Sequence, residues 1–574
     1  MRFSHTTSAA LFLAIEMTAA ASGLEITVHH SVNGSLLLLD SLRYSNAAKE
    51  TLSFTRVSYL LSGFALQRED GTWLEMAHDA WFDAGKRRAT TLLPGVVEGR
   101  YRALRFYVGP SAATNTGDPA QYAADHPLNP NLNGLHWSWQ TGYIFLAVEG
   151  HYRSGAGEIQ GYAYHFARDP NRTRVTLAAP LDLTHDAAVV LDFDLGTLIN
   201  APRPLSFARD GAATHSRDGD PVAGALAANL PGAFRIAEVL SSAPAEVPVV
   251  PVKPLYLPEK YTPFRFTMNA TFPRPALPRD NPLLEERVAL GKVLFGETAL
   301  SRDGAISCSS CHVAASAFAD PRPVSIGVQG KAGTRNAMPL FNLAWKHSFF
   351  WDGRAPSLRA QVLEPIQDHL EMDETLPNVV AKLEKKEPYP AMFRAAFGSP
   401  EVTAEKLGLA MEAFMLSLVA GDAKIDRAMR GTATLTEEEK RGFELFMTEN
   451  DPRTRQRGAD CFHCHGGPLF SDHDFHNNGL PPDPADTGRF RVTHNEADKG
   501  KFSTPSLRNI ALTAPYMHDG RFTTLEEVVA HYSTGVKRSS TLDPNLAKHP
   551  DGGLHLTADE QRALVAFLRA LTSD

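Results

Sequence analysis

The chain has 574 residues and a formal net charge of −8. That length exceeds what a single hydrophobic core organises and predicts two or three domains. The mild acidity excludes a general attraction to nucleic acid or anionic lipid, so partners must be recognised at local sites.

The first residues read as an export signal over residues 1–23. Arg2 supplies the basic start and Ala9 to Ile15 the apolar stretch; Ala19, Ala20, Ala21 and Ser22 are the small residues before the cut, with Glu16 an interruption. No later segment has the roughly 20 apolar residues that a membrane span needs. A soluble periplasmic protein is expected.

From residue 24 to about 195 the text is short alternating segments broken by turn residues. Leu24, Ile26, Val28 and His30 share one face ahead of Asn33-Gly34, and Tyr143 to Glu149 and Ala187 to Phe193 read as further strands. This predicts an antiparallel β-sandwich over 24–240, closed by a short helix from Asp220 to Phe234. Pro244, Pro248, Pro251, Pro254 and Pro258 then predict an extended linker over 241–262 rather than packed structure.

Over 263–574 the period becomes helical, with Val288, Leu290, Val293 and Leu294 near its start and Leu564, Phe567, Leu568 and Leu571 at its end. Thr436 with Glu439, and Thr557 with Glu560, have the spacing of capping boxes. The fold class expected is therefore multidomain: an N-terminal antiparallel β-sandwich, then a mainly α domain.

The four cysteines carry the chemistry. They fall as Cys308-Ser309-Ser310-Cys311-His312 and Cys461-Phe462-His463-Cys464-His465. In C-x-x-C-H the thiols form thioethers with the porphyrin and the histidine becomes the proximal iron ligand. One such match can be half of a zinc site or a redox dithiol. Two complete copies with no spare cysteine predict two covalent c-type haems, held by His312 and His465, so the mainly α part is expected to be a di-haem domain of two cytochrome c-like lobes.

The surrounding residues resemble the bacterial di-haem cytochrome c peroxidases, including the MauG-type enzymes that oxidise side chains of partner proteins. The resemblance rests on Arg335-Asn336-Ala337-Met338-Pro339, Phe350-Trp351-Asp352-Gly353-Arg354, Pro365-Ile366-Gln367, Glu371-Met372, Leu507-Arg508-Asn509 and Ala514-Pro515-Tyr516-Met517-His518-Asp519-Gly520. It implies hydrogen peroxide as substrate and Trp351 as the relay between haems. It also implies Glu371 as the acid–base residue of the distal pocket, with Gln361 positioning it and Pro365 shaping the pocket. Asn336, Thr513 and Pro515 match positions that hold a calcium ion in the family.

Two departures matter. No histidine occurs between Asp320 and Asn336 to cap the peroxide-binding iron, so the first haem is expected to be open. The distal methionine of the second haem aligns with Tyr532, which as a ligand would stabilise high oxidation states; His531 and Met517 are the alternatives.

In the N-terminal region, Asn133-Gly134-Leu135-His136-Trp137-Ser138-Trp139 through Tyr143, with Phe54, Val57 and Tyr59 and the closing stretch from His215 to Phe234, resembles the MbnP-like periplasmic copper-binding proteins. In that family a tryptophan becomes kynurenine at a histidine copper site, through a separate MauG-like enzyme of the MbnH type. The resemblance implies a fusion of substrate and catalyst. Trp137 or Trp139 would be the modified residue, and the copper ligands expected are His30, His165 and His215, with His29, His78 and His136 in reserve. The rival reading is a conventional peroxidase drawing electrons from a small cytochrome or copper protein, the sandwich being a docking or storage module.

Overall fold

The computed structural model describes residues 22–96, 99–137, 142–183, 187–240, 252–451 and 456–573. The export signal and Trp139 lie outside the described residues. Among them, no helix is long and apolar enough to cross a membrane.

The N-terminal region is β-rich. Ser22–Val32 buries the predicted face, with Leu24, Ile26, Val28 and His30 all below a tenth exposed. It is flanked in one sheet by Thr90–Val96 and Ala187–Asp194, and Phe234–Leu240 forms beyond the latter. The larger sheet is built on Arg56–Arg68, Arg100–Val108, Ile144–Ser154 and Gln160–Ala167. Most pairings are antiparallel, as alternation between short turns requires. Ser22–Val32 and Ala187–Asp194 instead run parallel, which the long intervening chain permits and a tight hairpin would not. Pro221–Ala233 is the closing helix, with the Asp220 carboxylate accepting from Val222 and Ala223 N–H.

Among the described residues, the haem-motif region is mainly helical and has two large apolar cores, with a small third cluster at Val536, Leu542 and Ala547. One gathers Leu290, Leu294, Trp345, Leu358, Phe393 and Phe414; the other gathers Phe446, Phe470, Leu525, Leu564 and Phe567. In the first, Gly291 lets Glu285–Phe295 approach Ala404–Leu416 so closely that a Cβ there would meet the Ala410 carbonyl at 2.1 Å. Both expected capping boxes form, at Thr436 and Thr557, and Thr524 with Glu527 makes another.

The proline-rich stretch is less free than expected where it is described. Leu255 packs against the first helical core, and the buried Arg287 guanidinium donates to the Leu255 and Tyr256 carbonyls at 2.7 and 3.0 Å. The sandwich also docks on the second lobe. His151 Nε2 lies 2.8 Å from the Leu542 carbonyl, and a Cβ on Gly161 would meet the Pro544 carbonyl at 1.9 Å, so a glycine there allows the two backbones to touch.

Candidate active site

The two haem motifs fold alike. Cys308–Cys311 is one helical turn closed by Ser307 and Ser310, after which His312 leaves the helix and its Nδ1 donates to the Phe318 carbonyl at 2.8 Å. Cys461–His463 is a turn entered through Asp460 at φ 55°, and His465 Nδ1 donates to the Phe470 carbonyl at 3.1 Å. In both loops the accepting residue has positive φ, 59° at Phe318 and 52° at Phe470, which swings its carbonyl back under the ring. An imidazole whose Nδ1 carries the proton presents the Nε2 lone pair, the form an iron ligand needs. The four thiols are free of disulfides, so the donor set fits two covalent haems.

Above His312 lies a cavity of about 930 Å³ lined by Cys311, His312, Trp351, Gln361, Pro365 and Glu371 among others. Leu358–Gln361 and Glu364–Gln367 are short helices that bring Gln361 and Pro365 to its wall. Gln361 Oε1 is buried there without a hydrogen-bond partner. The chain then turns, with Glu371 N–H donating to the Asp368 carbonyl at 3.0 Å. Burial, reinforced by the neighbouring Asp368 charge and opposed by Arg354, pushes the Glu371 carboxyl up to about 7. The segment from Asp320 to Asn336 contributes Ser325, Gly333 and Thr334 to the wall, none of them able to ligate iron as an imidazole would.

Trp351 stands at the seam of the lobes. Its Nε1 donates to the Asn336 carbonyl at 2.8 Å, and its own carbonyl accepts from Ser503 N–H at 2.8 Å. Pro505 and Ser506, just beyond, line the same cavity. Arg335 clamps the seam by donating to both Asp486 oxygens at 2.6 Å and to Asp352 at 2.7 Å.

At the second haem motif, Tyr532 sits in a wide helical turn, His531–Gly535. Asn478 Nδ2 lies 3.4 Å from both Tyr532 Oη and Met517 Sδ, so those two candidates occupy one neighbourhood. His531 packs edge-on against Tyr532, ring centroids 5.1 Å apart, and its Nε2 is held 3.0 Å from the Asn478 carbonyl. Burial pushes the Tyr532 phenol up to about 12, against the Asn478 amide. For the calcium candidates, Asn336 N–H donates to the His518 carbonyl at 2.8 Å, which sets that residue beside the segment carrying Thr513 and Pro515. The Asn336 amide donates to the Arg322 and Pro323 carbonyls, and the Thr513 hydroxyl to Ile510; the neutral oxygens here suit a hard cation.

The copper candidates divide. His165 and His215 are buried neighbours with ring centroids 5.2 Å apart, and burial holds both imidazoles below their usual pKa, hence neutral. His30 is not with them; its Nε2 is 3.0 Å from Tyr59 Oη and its ring packs on Phe193. His78 is tied to Thr91, and His136 packs edge-on against Tyr143. The residue missed in the sequence is His463, inside the second haem motif, whose ring centroid is 5.2 Å from that of His165 and 5.3 Å from that of His215. Its only signal was a histidine in the variable part of C-x-x-C-H. Trp137 completes the group, 5.3 Å from His215 and 6.3 Å from His165, and packs against both the sandwich core and the second helical core.

Comparison with known proteins agrees with this division of the chain. The family described as di-haem cytochrome c peroxidase matches residues 285–434, and MbnP matches residues 21–216. The chain is 36% identical over 313 residues to methylamine utilization protein MauG of Methylorubrum extorquens, covering 54% of this chain and 85% of that protein. It is 35% identical over 294 residues to cytochrome c551 peroxidase of Nitrosomonas europaea, covering 50% and 79%. A solved MauG-like protein associated with microbial copper homeostasis shares 36% identity, with a TM-score of 0.47 over 53% of this chain and 94% of that one. Two c-type haems and peroxide chemistry come with the family. The chain belongs to the MauG and di-haem cytochrome c peroxidase family, and carries an MbnP region in front of the enzyme.

Proposed function

We propose that this peroxidase, acting in the periplasm after export, oxidises a tryptophan of its own N-terminal domain to kynurenine and so completes a copper site. The observation that carries the reading is the seat of Trp137, which bridges the sandwich core and the core around the second haem motif. A tethered and docked side chain needs no diffusional encounter with its catalyst.

When bound, the haems supply the irons that peroxide oxidises and that hold the oxidising equivalents. The chain supplies the rest. Cys308, Cys311 and His312 would hold one haem, and Cys461, Cys464 and His465 the other, with Tyr532 as a further ligand to it. Glu371, poised near neutrality, would serve as the acid–base group for peroxide in this cavity, accepting a proton from it and giving one back. Gln361 offers its unpartnered Oε1 to the bound peroxide, Pro365 shapes the wall, and Trp351 passes electrons across the seam that Asn336 fixes. Calcium at Asn336, Thr513 and Pro515 would stiffen the same seam. In balance, tryptophan and two molecules of peroxide give N-formylkynurenine and two of water, and hydrolysis then releases formate.

Mass spectrometry of the peptide spanning Trp137 and Trp139, before and after peroxide, tests this. A gain of about 4 Da on Trp137 is expected, the change from tryptophan to kynurenine. Unchanged tryptophans, with rapid peroxide consumption from a reduced cytochrome, would establish the conventional peroxidase instead.

The position of Glu371 yields a second expected result. A Cβ on Gly327 would stand 2.1 Å from the Leu370 carbonyl and 2.4 Å from that of Glu371, so Gly327→Ala must displace the loop. Misplacing a catalytic group by about 1 Å costs on the order of 100-fold. The peroxide rate of G327A, with both haems attached, should fall by that order; a normal rate would show that the Glu371 position is not critical.

A further inference from the structure

We propose that His165, His215 and His463 form one copper site that exists only where the sandwich is docked on the second lobe, its third imidazole coming from the haem-attachment loop itself. This deepens the copper part of the reading above and does not depend on conversion of Trp137.

The three rings form a nearly equilateral triangle, with centroids 5.2, 5.2 and 5.3 Å apart. One nitrogen from each lies within 4.8 Å of the others. An ion with bonds of about 2.0 Å to three nitrogens in a plane sets them about 3.5 Å apart, so the nitrogens would close by at most little more than about an ångström.

Each ring is anchored at one nitrogen and free at the other. His165 Nε2 is 2.9 Å from Glu149, His215 Nδ1 is 3.2 Å from Glu449, and His463 Nε2 is 3.0 Å from Glu449. The opposite nitrogens, His165 Nδ1, His215 Nε2 and His463 Nδ1, are buried without a hydrogen-bond partner. Orphaned buried polar atoms are costly, and three together are rarer still. Imidazoles oriented by carboxylates on the far side are the arrangement in which histidines bind metals. Glu449 serves one ring from each domain, and Lys548, paired to both Glu449 and Asp460, compensates its charge.

The chemistry selects the metal. Three imidazole nitrogens without a thiolate suit copper or zinc. The flanking walls are aromatic, with Phe462 5.5 Å and Trp137 5.3 Å from His215, and a buried monovalent ion costs less there than a divalent one. Cu(I) is the ion this set fits. A cavity of about 90 Å³ lined by Arg56, Trp137, His165, Phe462 and His463 reaches the cluster. The other metal-like groupings are already spent: Cys464, His476 and Asp543 include a haem thioether, and Glu449, Asp460 and His463 hold the Lys548 ammonium.

The test uses full-length protein with both haems attached and no exposure to peroxide, titrated anaerobically with Cu(I) against a chromophoric chelator. One equivalent should bind, and X-ray absorption at the copper edge should fit three imidazoles. His165→Gln, His215→Gln and His463→Gln should each weaken binding by at least about 10-fold. Wild-type protein that binds no copper, or an H463Q variant that binds as wild type while H165Q and H215Q fail, would overturn the site. The wild-type imidazole count needs no variant, so a two-imidazole shell also defeats it even where H463Q folds poorly. Copper binding through His463 alongside a Trp137 that never changes mass would end the self-processing reading and leave this site standing.

Discussion

Replacing Glu371 by glutamine should cut peroxide turnover by about 10²- to 10⁴-fold, the usual worth of a positioned acid–base group. In the proposed role, its carboxylate is the form that accepts the peroxide proton. Because burial and Asp368 lift that carboxyl to about 7, turnover should climb as pH rises through about 7 and fall below it. An ordinary carboxyl would place that limb some units lower. The E371Q variant should lose the limb as well as the rate, while haem content stays constant. Steady-state peroxide consumption from pH 5 to 9 decides it, and a limb that persists in E371Q would assign the titration to another group.

The largest stability effect is expected at Asp426. Its carboxylate accepts from Arg508 at 2.6 and 2.8 Å, from Asn269 at 3.1 Å and from Ala423 N–H at 2.8 Å, with both charged side chains 2% exposed. The Arg508 guanidinium lies over Phe272 of the first lobe and Phe470 of the second. Asp426→Ala leaves that cation buried without a counter-charge, a loss of about 3–5 kcal/mol. The urea midpoint of the haem-loaded protein should drop accordingly. An unchanged midpoint would mean that water reaches Arg508 and the pair does not join the lobes.

Much of the architecture was legible because it is written locally. The face of Leu24, Ile26, Val28 and His30, the two C-x-x-C-H loops and the boxes at Thr436 and Thr557 each depend on residues a few positions apart. What escaped depends on pairing at a distance. Nothing near Ser22–Val32 signals a parallel partner at Ala187–Asp194, and nothing near the prolines signals that Arg287 will seize the Leu255 carbonyl. His30 and His165 were both expected as copper ligands, yet one meets Tyr59 and the other meets His215. His463 was hidden in plain text, since the thioether motif already accounted for every residue around it.

The docking of the sandwich also sets a kinetic order. With Gly161 against Pro544 and Trp137 against the second lobe, the side chain proposed for oxidation packs on the lobe that would oxidise it. Its conversion would be first order in protein, unaffected by dilution, and finished after one event per molecule. The edge of the second haem loop at Phe462 and His463 is thereby withdrawn from collision with other proteins, so any soluble electron donor would have to dock on another face.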